Sequence, residues 1–143
     1  MSLNFKYKDV PRSNDTHSLS PSIPVTLSGN SGGKYEFIVL LDSGADISAI
    51  PKHLAELLNL DLSGKKEDAF GIGGKVPAIS THMNVEINKN HENYRFRVPV
   101  KVILDGYDFP PLIGRAVFFD KFDITFKQSE KKVILKPVTQ KVR

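Results

Sequence analysis

The 143-residue chain contains no cysteine, so disulfide staples and thiolate zinc sites are excluded and nothing points to an oxidising compartment. No apolar stretch approaches the ~18 residues of a membrane-spanning helix. The start, Met1-Ser2-Leu3-Asn4-Phe5-Lys6, lacks the apolar core of a signal peptide. A cytoplasmic protein with no membrane partner is the expectation. Charge of one sign is in little excess: the net charge is +4, and the basic residues are dispersed apart from Lys127, Lys131, Lys132, Lys136, Lys141 and Arg143. A solvated basic tail accounts for that cluster, and nucleic acid is not an expected partner. The four histidines, His17, His53, His82 and His91, have no metal-ligand spacing, so no metal and no other cofactor is expected.

What is present suits one domain able to bury about 70% of its unfolded surface. The first 22 residues are polar and punctuated, Ser13-Asn14-Asp15-Thr16-His17-Ser18 above all, and read as an arm with a short strand at Leu3 to Tyr7. From Ile23 the signals are mostly β. Ile23 to Ser28 and Lys34 to Leu41 flank the turn Gly29-Asn30-Ser31-Gly32-Gly33 as a hairpin. The run Ile38-Val39-Leu40-Leu41 lacks polar alternation, which predicts a strand buried on both faces.

Ile50, Leu54, Leu57 and Leu58 share one face of a short helix that starts at Pro51 and stops near Asn59. Two strand-like segments between 67 and 87 are joined by Gly71-Ile72-Gly73-Gly74, and the second alternates Ile79, Thr81, Met83, Val85 and Ile87 with polar residues. Tyr94 to Leu104 repeats that period, with Pro99 predicting an edge or a bulge. A second helix near Arg115 to Lys121, then strands at Phe122 to Lys127 and Lys132 to Val138, complete a mainly β, barrel-like domain over residues 23–138 with a basic tail at 139–143.

Several motifs are absent in an informative way. Neither Gly74-Lys75-Val76 nor Gly33-Lys34-Tyr35 completes a phosphate loop, and the dinucleotide glycine frame breaks at Val76. Ser43 lies in no Gly-x-Ser-x-Gly frame, so it is not read as a nucleophile. The chemistry instead centres on Asp42-Ser43-Gly44-Ala45, set directly behind the apolar run Phe37 to Leu41. A strand that delivers a carboxylate into a tight Ser-Gly turn suits carboxylate-pair hydrolysis, and this unit occurs once. One copy implies that a second chain supplies the other carboxylate.

Three segments follow in order: Leu40-Leu41-Asp42-Ser43-Gly44-Ala45-Asp46, Gly71-Ile72-Gly73-Gly74 and Leu112-Ile113-Gly114-Arg115. Together they resemble the retropepsin-like aspartic proteases over roughly Ile23 to Phe126, with Ser43 in place of the commoner Thr. The resemblance implies a closed or partly open β-barrel with a flap hairpin and two short helices, a homodimer, and a peptide or protein substrate. It casts Asp42 as the catalytic carboxylate and Ser43, Gly44, Asp46 and Arg115 as support for the active-site loop, with Asp46 pairing Arg115. It casts Gly44, Ala45, Asp46, Ile47, Gly71, Ile72, Gly73, Gly74, Ile79 and Ile113 as substrate-binding, with Pro77 flanking them. Phe118, Phe119, Phe122, Leu54 and Leu57 are read as core. The lengths before Ile23 and after Phe126 exceed a minimal retroviral enzyme and point to a cellular or prokaryotic member. Val133-Ile134-Leu135 is the segment read as available for the dimer interface, and Arg12 lies in the unaligned arm. The alternative is a non-catalytic peptide-binding or oligomerisation module with the same fold.

Overall fold

Alternating apolar and polar side chains over 23–28, 79–87 and 94–104 make strands whose inward halves share one core. The structure, a computed structural model, describes residues 1–11, 17–71, 73–106 and 108–138. In chain order the elements are β1 (Leu3–Lys6), β2 (Lys8–Pro11), β3 (His17–Ser20), β4 (Ser22–Ser28), β5 (Tyr35–Leu41), β6 (Ser48–Pro51) and α1 (Lys52–Leu57). There follow β7 (Lys66–Gly71), β8 (Gly74–Lys89), β9 (Glu92–Ile103), β10 (Leu112–Ile113), α2 (Phe118–Lys121), β11 (Phe122–Lys127), a 3-10 turn (Gln128–Glu130) and β12 (Lys132–Pro137).

Six strands close into a barrel in the order β4-β5-β10-β6-β9-β8, and β8 returns to β4 through Thr26↔Glu86, Leu27↔Val85 and Ser28↔Asn84. Closure leaves no edge in the ring. The pairs β5–β10 and β6–β9 are parallel, so β10 is inserted between two strands from the other end of the sequence. The first part of β8 pairs instead with β7, and this hairpin projects from the ring with its turn at Gly71↔Gly74. Pro99 stands one residue before β6 joins β9 at Val100, where among the described residues that side of β9 has no partner strand. A missing N–H is harmless on such an edge.

The inward residues are Ile23, Val25, Leu27, Val39, Leu41, Met83, Val85, Ile87, Val98, Val100, Val102 and Ile113. In β5 only Val39 and Leu41 are buried, while Ile38 is 38% exposed. The strand is therefore one layer of a wall, with a single face on the core, and is not buried on both faces as its composition predicts.

Helix α1 is shorter than its apolar spacing predicts, because Pro51 still belongs to β6. It places Leu54 and Ala55 inward, with Leu58 at its C-cap, and leaves Leu57, read as core from the sequence, 47% exposed. Its end is a Schellman motif: Asn59, at φ 53°, donates its N–H to Glu56 O, and Leu60 donates to Ala55 O. Asn tolerates that left-handed conformation through its short polar side chain.

Helix α2 begins at Phe118, not Arg115, because residues 115–117 are bound elsewhere. The N–H groups of Arg115 and Ala116 donate to Ala45 O and Asp46 O. Val117 then takes φ 69°, ψ −56° in a γ-turn closed by Phe118 N–H donating to Ala116 O at 2.9 Å. For a β-branched residue this conformation is strained. Phe118 and Phe122 hold the segment down by packing edge-to-face against Phe96, and Tyr94 adds a further ring contact to Phe122.

The polar start of the chain contributes apolar side chains to the core, since Leu3, Phe5 and Tyr7 are buried. β1 pairs antiparallel with β12, and β12 pairs with β11 on its other side, a three-stranded sheet in the order β1-β12-β11. Val133-Ile134-Leu135 is thus flanked by strands of its own chain on both sides. No backbone edge remains there for another chain.

Candidate active site

Asp42 directly follows β5, where the chain leaves the barrel wall. Its N–H donates to Ile113 O at 2.9 Å, which extends the β5–β10 ladder by one bond and fixes the point of exit. The chain then turns sharply, with Ala45 N–H donating to Asp42 O at 3.2 Å. Gly44 N–H donates to Asp42 Oδ1 at 3.0 Å, so one carboxylate oxygen is oriented by its own loop. The other oxygen has no hydrogen bond within the described residues, and the side chain is half-buried. A Cβ on Gly44 would stand 3.3 Å from that Oδ1, so any larger residue pushes against the carboxylate.

The loop is locked from below by the Leu112-Ile113-Gly114-Arg115 segment. Gly114 N–H donates to Ser48 Oγ at 3.0 Å, in a site where Ser48 is buried. A Cβ on Gly114 would lie 2.7 Å from Ile47 C and 2.8 Å from Ala45 O, so only glycine permits this approach. Arg115 then reaches up to donate Nη1–H to Ser43 O at 2.6 Å and Nη2–H to Asp46 Oδ1. This guanidinium spans both sides of the turn, a fork that lysine cannot reproduce. The Ser43 hydroxyl is exposed and makes no hydrogen bond among the described residues.

The structure brings Asp42, Ser43, Gly44, Ala45, Asp46, Ile47, Gly114 and Arg115 into one unit. It does not bring Ile113 to a surface: that side chain is fully buried in the core, and Ile79 is nearly so. The sequence casts both as substrate-binding, but Ile113 belongs to the barrel core and Ile79 is buried at the root of the β7–β8 hairpin beside Gly64. The residues beside them do face outward. Leu112 is half-buried and lies opposite Leu40 and Ala49, also half-buried, on the wall next to the Asp42 loop. Sequence reasoning passed over these three, because an apolar pair such as Leu112-Ile113 does not say which member faces out; the pairing register does.

Gly71, Gly73 and Gly74 form the end of the β7–β8 hairpin, each with open space where a Cβ would be, and Gly74 at φ 105°. Ile72 lies outside the described residues. Phe70, beside the turn, is 77% exposed. At the hairpin's root, Glu67 Oε1 accepts from Lys101 Nζ at 3.0 Å and from Ser80 Oγ. The Ser80 hydroxyl, then the Lys101 ammonium, hold the Glu67 carboxyl below its usual range. A hollow of about 460 Å³ bordered by Asn59, Ser80, His82 and Arg97 lies apart from the Asp42 loop, which opens directly to solvent. Among the described residues no group of three or more His, Cys, Asp or Glu is placed to hold a metal, and no helix is long and apolar enough to cross a membrane.

No family model and no curated protein matches the chain. Solved structures do. EIAV protease bound to an inhibitor is 25% identical, with 67% of this chain and 82% of that chain covered at a TM-score of 0.45. The retroviral protease-like domain of Ddi1 from Leishmania major is 14% identical, covering 85% of this chain and 97% of its own, also at 0.45. A retropepsin-like aspartic protease from Rickettsia conorii is 19% identical, covers 94% of this chain and 91% of its own, and reaches a TM-score of 0.52. The chain has a retropepsin-like fold.

Proposed function

We propose that the protein is an aspartic endopeptidase in which the Asp42 carboxylates of two copies share one water. The observation that carries this reading is the Asp42 loop itself. A half-exposed carboxylate is oriented by Gly44 N–H, on a turn fixed by Arg115 to Ser43 O and Asp46, in a retropepsin-like fold. A single chain offers one such carboxylate, so the site is complete only across a two-fold axis.

Two carboxylates ~3 Å apart at an effective dielectric of about 20 repel by roughly 5 kcal/mol, so the pair retains one proton. The ionised member takes a proton from the water as its oxygen attacks the scissile carbonyl carbon. The protonated member gives its proton to the carbonyl oxygen. The tetrahedral species then collapses: the C–N bond breaks, the amine nitrogen takes up a proton, and the carboxylic acid is released. No covalent enzyme intermediate forms. An extended peptide lies along the loop with its side chains against Leu112, Leu40 and Ala49, under the β7–β8 hairpin acting as a flap that displaces bulk water.

The test is digestion of a peptide library by the wild type and by Asp42→Asn at several pH values. Cleavage should fall by roughly 10²–10⁴-fold while the circular dichroism spectrum is unchanged. An Asp42→Asn variant as active as the wild type removes this carboxylate from the chemistry. A wild type that binds peptides and cleaves none is instead a non-catalytic module of the same fold.

A further inference from the structure

Four of the lysines that read from the sequence as a solvated tail stand instead on an ordered surface. Lys127 ends β11, Lys132 opens β12, Lys136 lies farther along β12, and Lys131 occupies the turn between the two strands. The pairing register adds a fifth from the other end of the chain: Lys6 of β1 lies opposite Lys132, and Lys132 lies opposite Lys127. Residues directly opposite on neighbouring strands share a face. Leu3, Phe5, Phe122, Val133 and Leu135 take the core face, so Lys6, Lys132 and Lys127 form a row across the outer one. Tyr7 N–H donates to Lys131 O at 2.8 Å, which brings the turn beside the end of that row.

Such a row runs against the rule for cross-strand neighbours, because like charges directly opposite each other are destabilising. Strands ~4.8 Å apart set the three lysine stems within about 10 Å of one another. One carboxylate serves them: Glu130 lies 3.7 Å from Lys127 Nζ and 3.8 Å from Lys132 Nζ. Lys6, Lys131 and Lys136 make no ion pair among the described residues. Asp123, opposite Lys136 in register, is the other acid on this face. Five lysines against two acids leave three of the chain's four net positive charges on one small sheet. Local conflicts of this kind are expected at functional surfaces, where a partner supplies the missing counter-charge.

The shape of that partner follows from the sheet. Strand side chains stand roughly perpendicular to it, so the ammonium groups end near one plane. Between them lie Asn4, Thr125 and half-buried Ile134, and no arginine or aromatic ring is among the outward residues. Phe5 and Phe126 both lie opposite Val133, on the other face. Nothing on the outer face can read a base edge in a bidentate way or stack on a base. A curved duplex backbone would meet a flat row at few points, whereas a plane of acidic headgroups meets all of it.

We propose that the outer face of β1-β12-β11 is a docking surface for an anionic lipid bilayer, held by lysine contacts to the headgroups without an inserted side chain. This lies outside the Asp42 site and does not depend on peptide hydrolysis.

The test is co-sedimentation of the full-length protein with vesicles of phosphatidylcholine and phosphatidylserine in equal parts, and with vesicles of phosphatidylcholine alone. The protein should bind the first, less so as salt rises, and should ignore the second. A lysine near an anionic leaflet is worth roughly fivefold in partitioning, so Lys6→Gln should weaken binding about fivefold and Lys6→Gln with Lys132→Gln about 25-fold. The double variant should resist denaturant at least as well as the wild type, because it removes a repelling pair. Lys52→Gln with Lys65→Gln, exposed lysines off this face, should bind as the wild type does. Indifference of the wild type to phosphatidylserine overturns the proposal, as does wild-type binding by folded Lys6→Gln or an equal loss in the Lys52 and Lys65 variant. Displacement from the vesicles by a DNA duplex at matched phosphate overturns it too, and assigns the face to nucleic acid.

Discussion

Gly114 and Asp42 never touch, yet the position of one depends on the other through Ile47 and Ala45. A methyl group at residue 114 would meet Ile47 C at 2.7 Å and Ala45 O at 2.8 Å, both backbone atoms that cannot swing aside. Gly114→Ala should cost about 1–3 kcal/mol in denaturant unfolding, the range for overpacking a fixed contact. The same change at Gly73, which has nothing within 4 Å, should stay within about 0.5 kcal/mol. Equal losses at the two positions would show that the close approach under the Asp42 loop is not what requires glycine. The Leu-Ile-Gly-Arg segment was visible in the sequence. Which of its apolar residues faces out was not drawn from it, and register decides that: Leu112 lies outward against Leu40 and Ala49 while Ile113 enters the core.

Among the elements, the β7–β8 hairpin projects from the ring and is tied to it at Glu67 by Ser80 and Lys101. Because the Glu67 carboxyl is held below its usual range in the folded chain, the tie is complete above the ordinary carboxylate range. It is lost as pH falls through that lowered value, so acid loosens the hairpin root and neutral pH does not. Removing Lys101 with Lys101→Ala should shift the Glu67 titration upward, toward the ordinary value, and Glu67→Gln should remove the transition from amide exchange in β7. Exchange in β7 that ignores both substitutions would mean that strand pairing alone holds the root. The hairpin was legible from its glycines, but the tie was not, since Glu67 and Lys101 stand 34 residues apart.

For the whole molecule, the governing quantity is concentration. A site that exists only across two chains loses activity per chain once the protein is diluted below the Kd of the dimer. Progress curves over a dilution series should show that fall, whereas activity proportional to protein at every dilution would place a complete site within one chain. Asp42-Ser43-Gly44 behind an apolar strand, the glycine-rich turn and the Gly-Arg segment were all readable beforehand. They are contiguous and their chemistry is local, as is the period-two alternation that marks each strand. Ring closure of β8 on β4, the entry of Leu3 and Phe5 into the core, and the enclosure of β12 between β1 and β11 depend on pairings between distant parts of the chain. An alternating segment states which of its faces is apolar but not which neighbour it will meet, so tertiary structure alone settled those pairings.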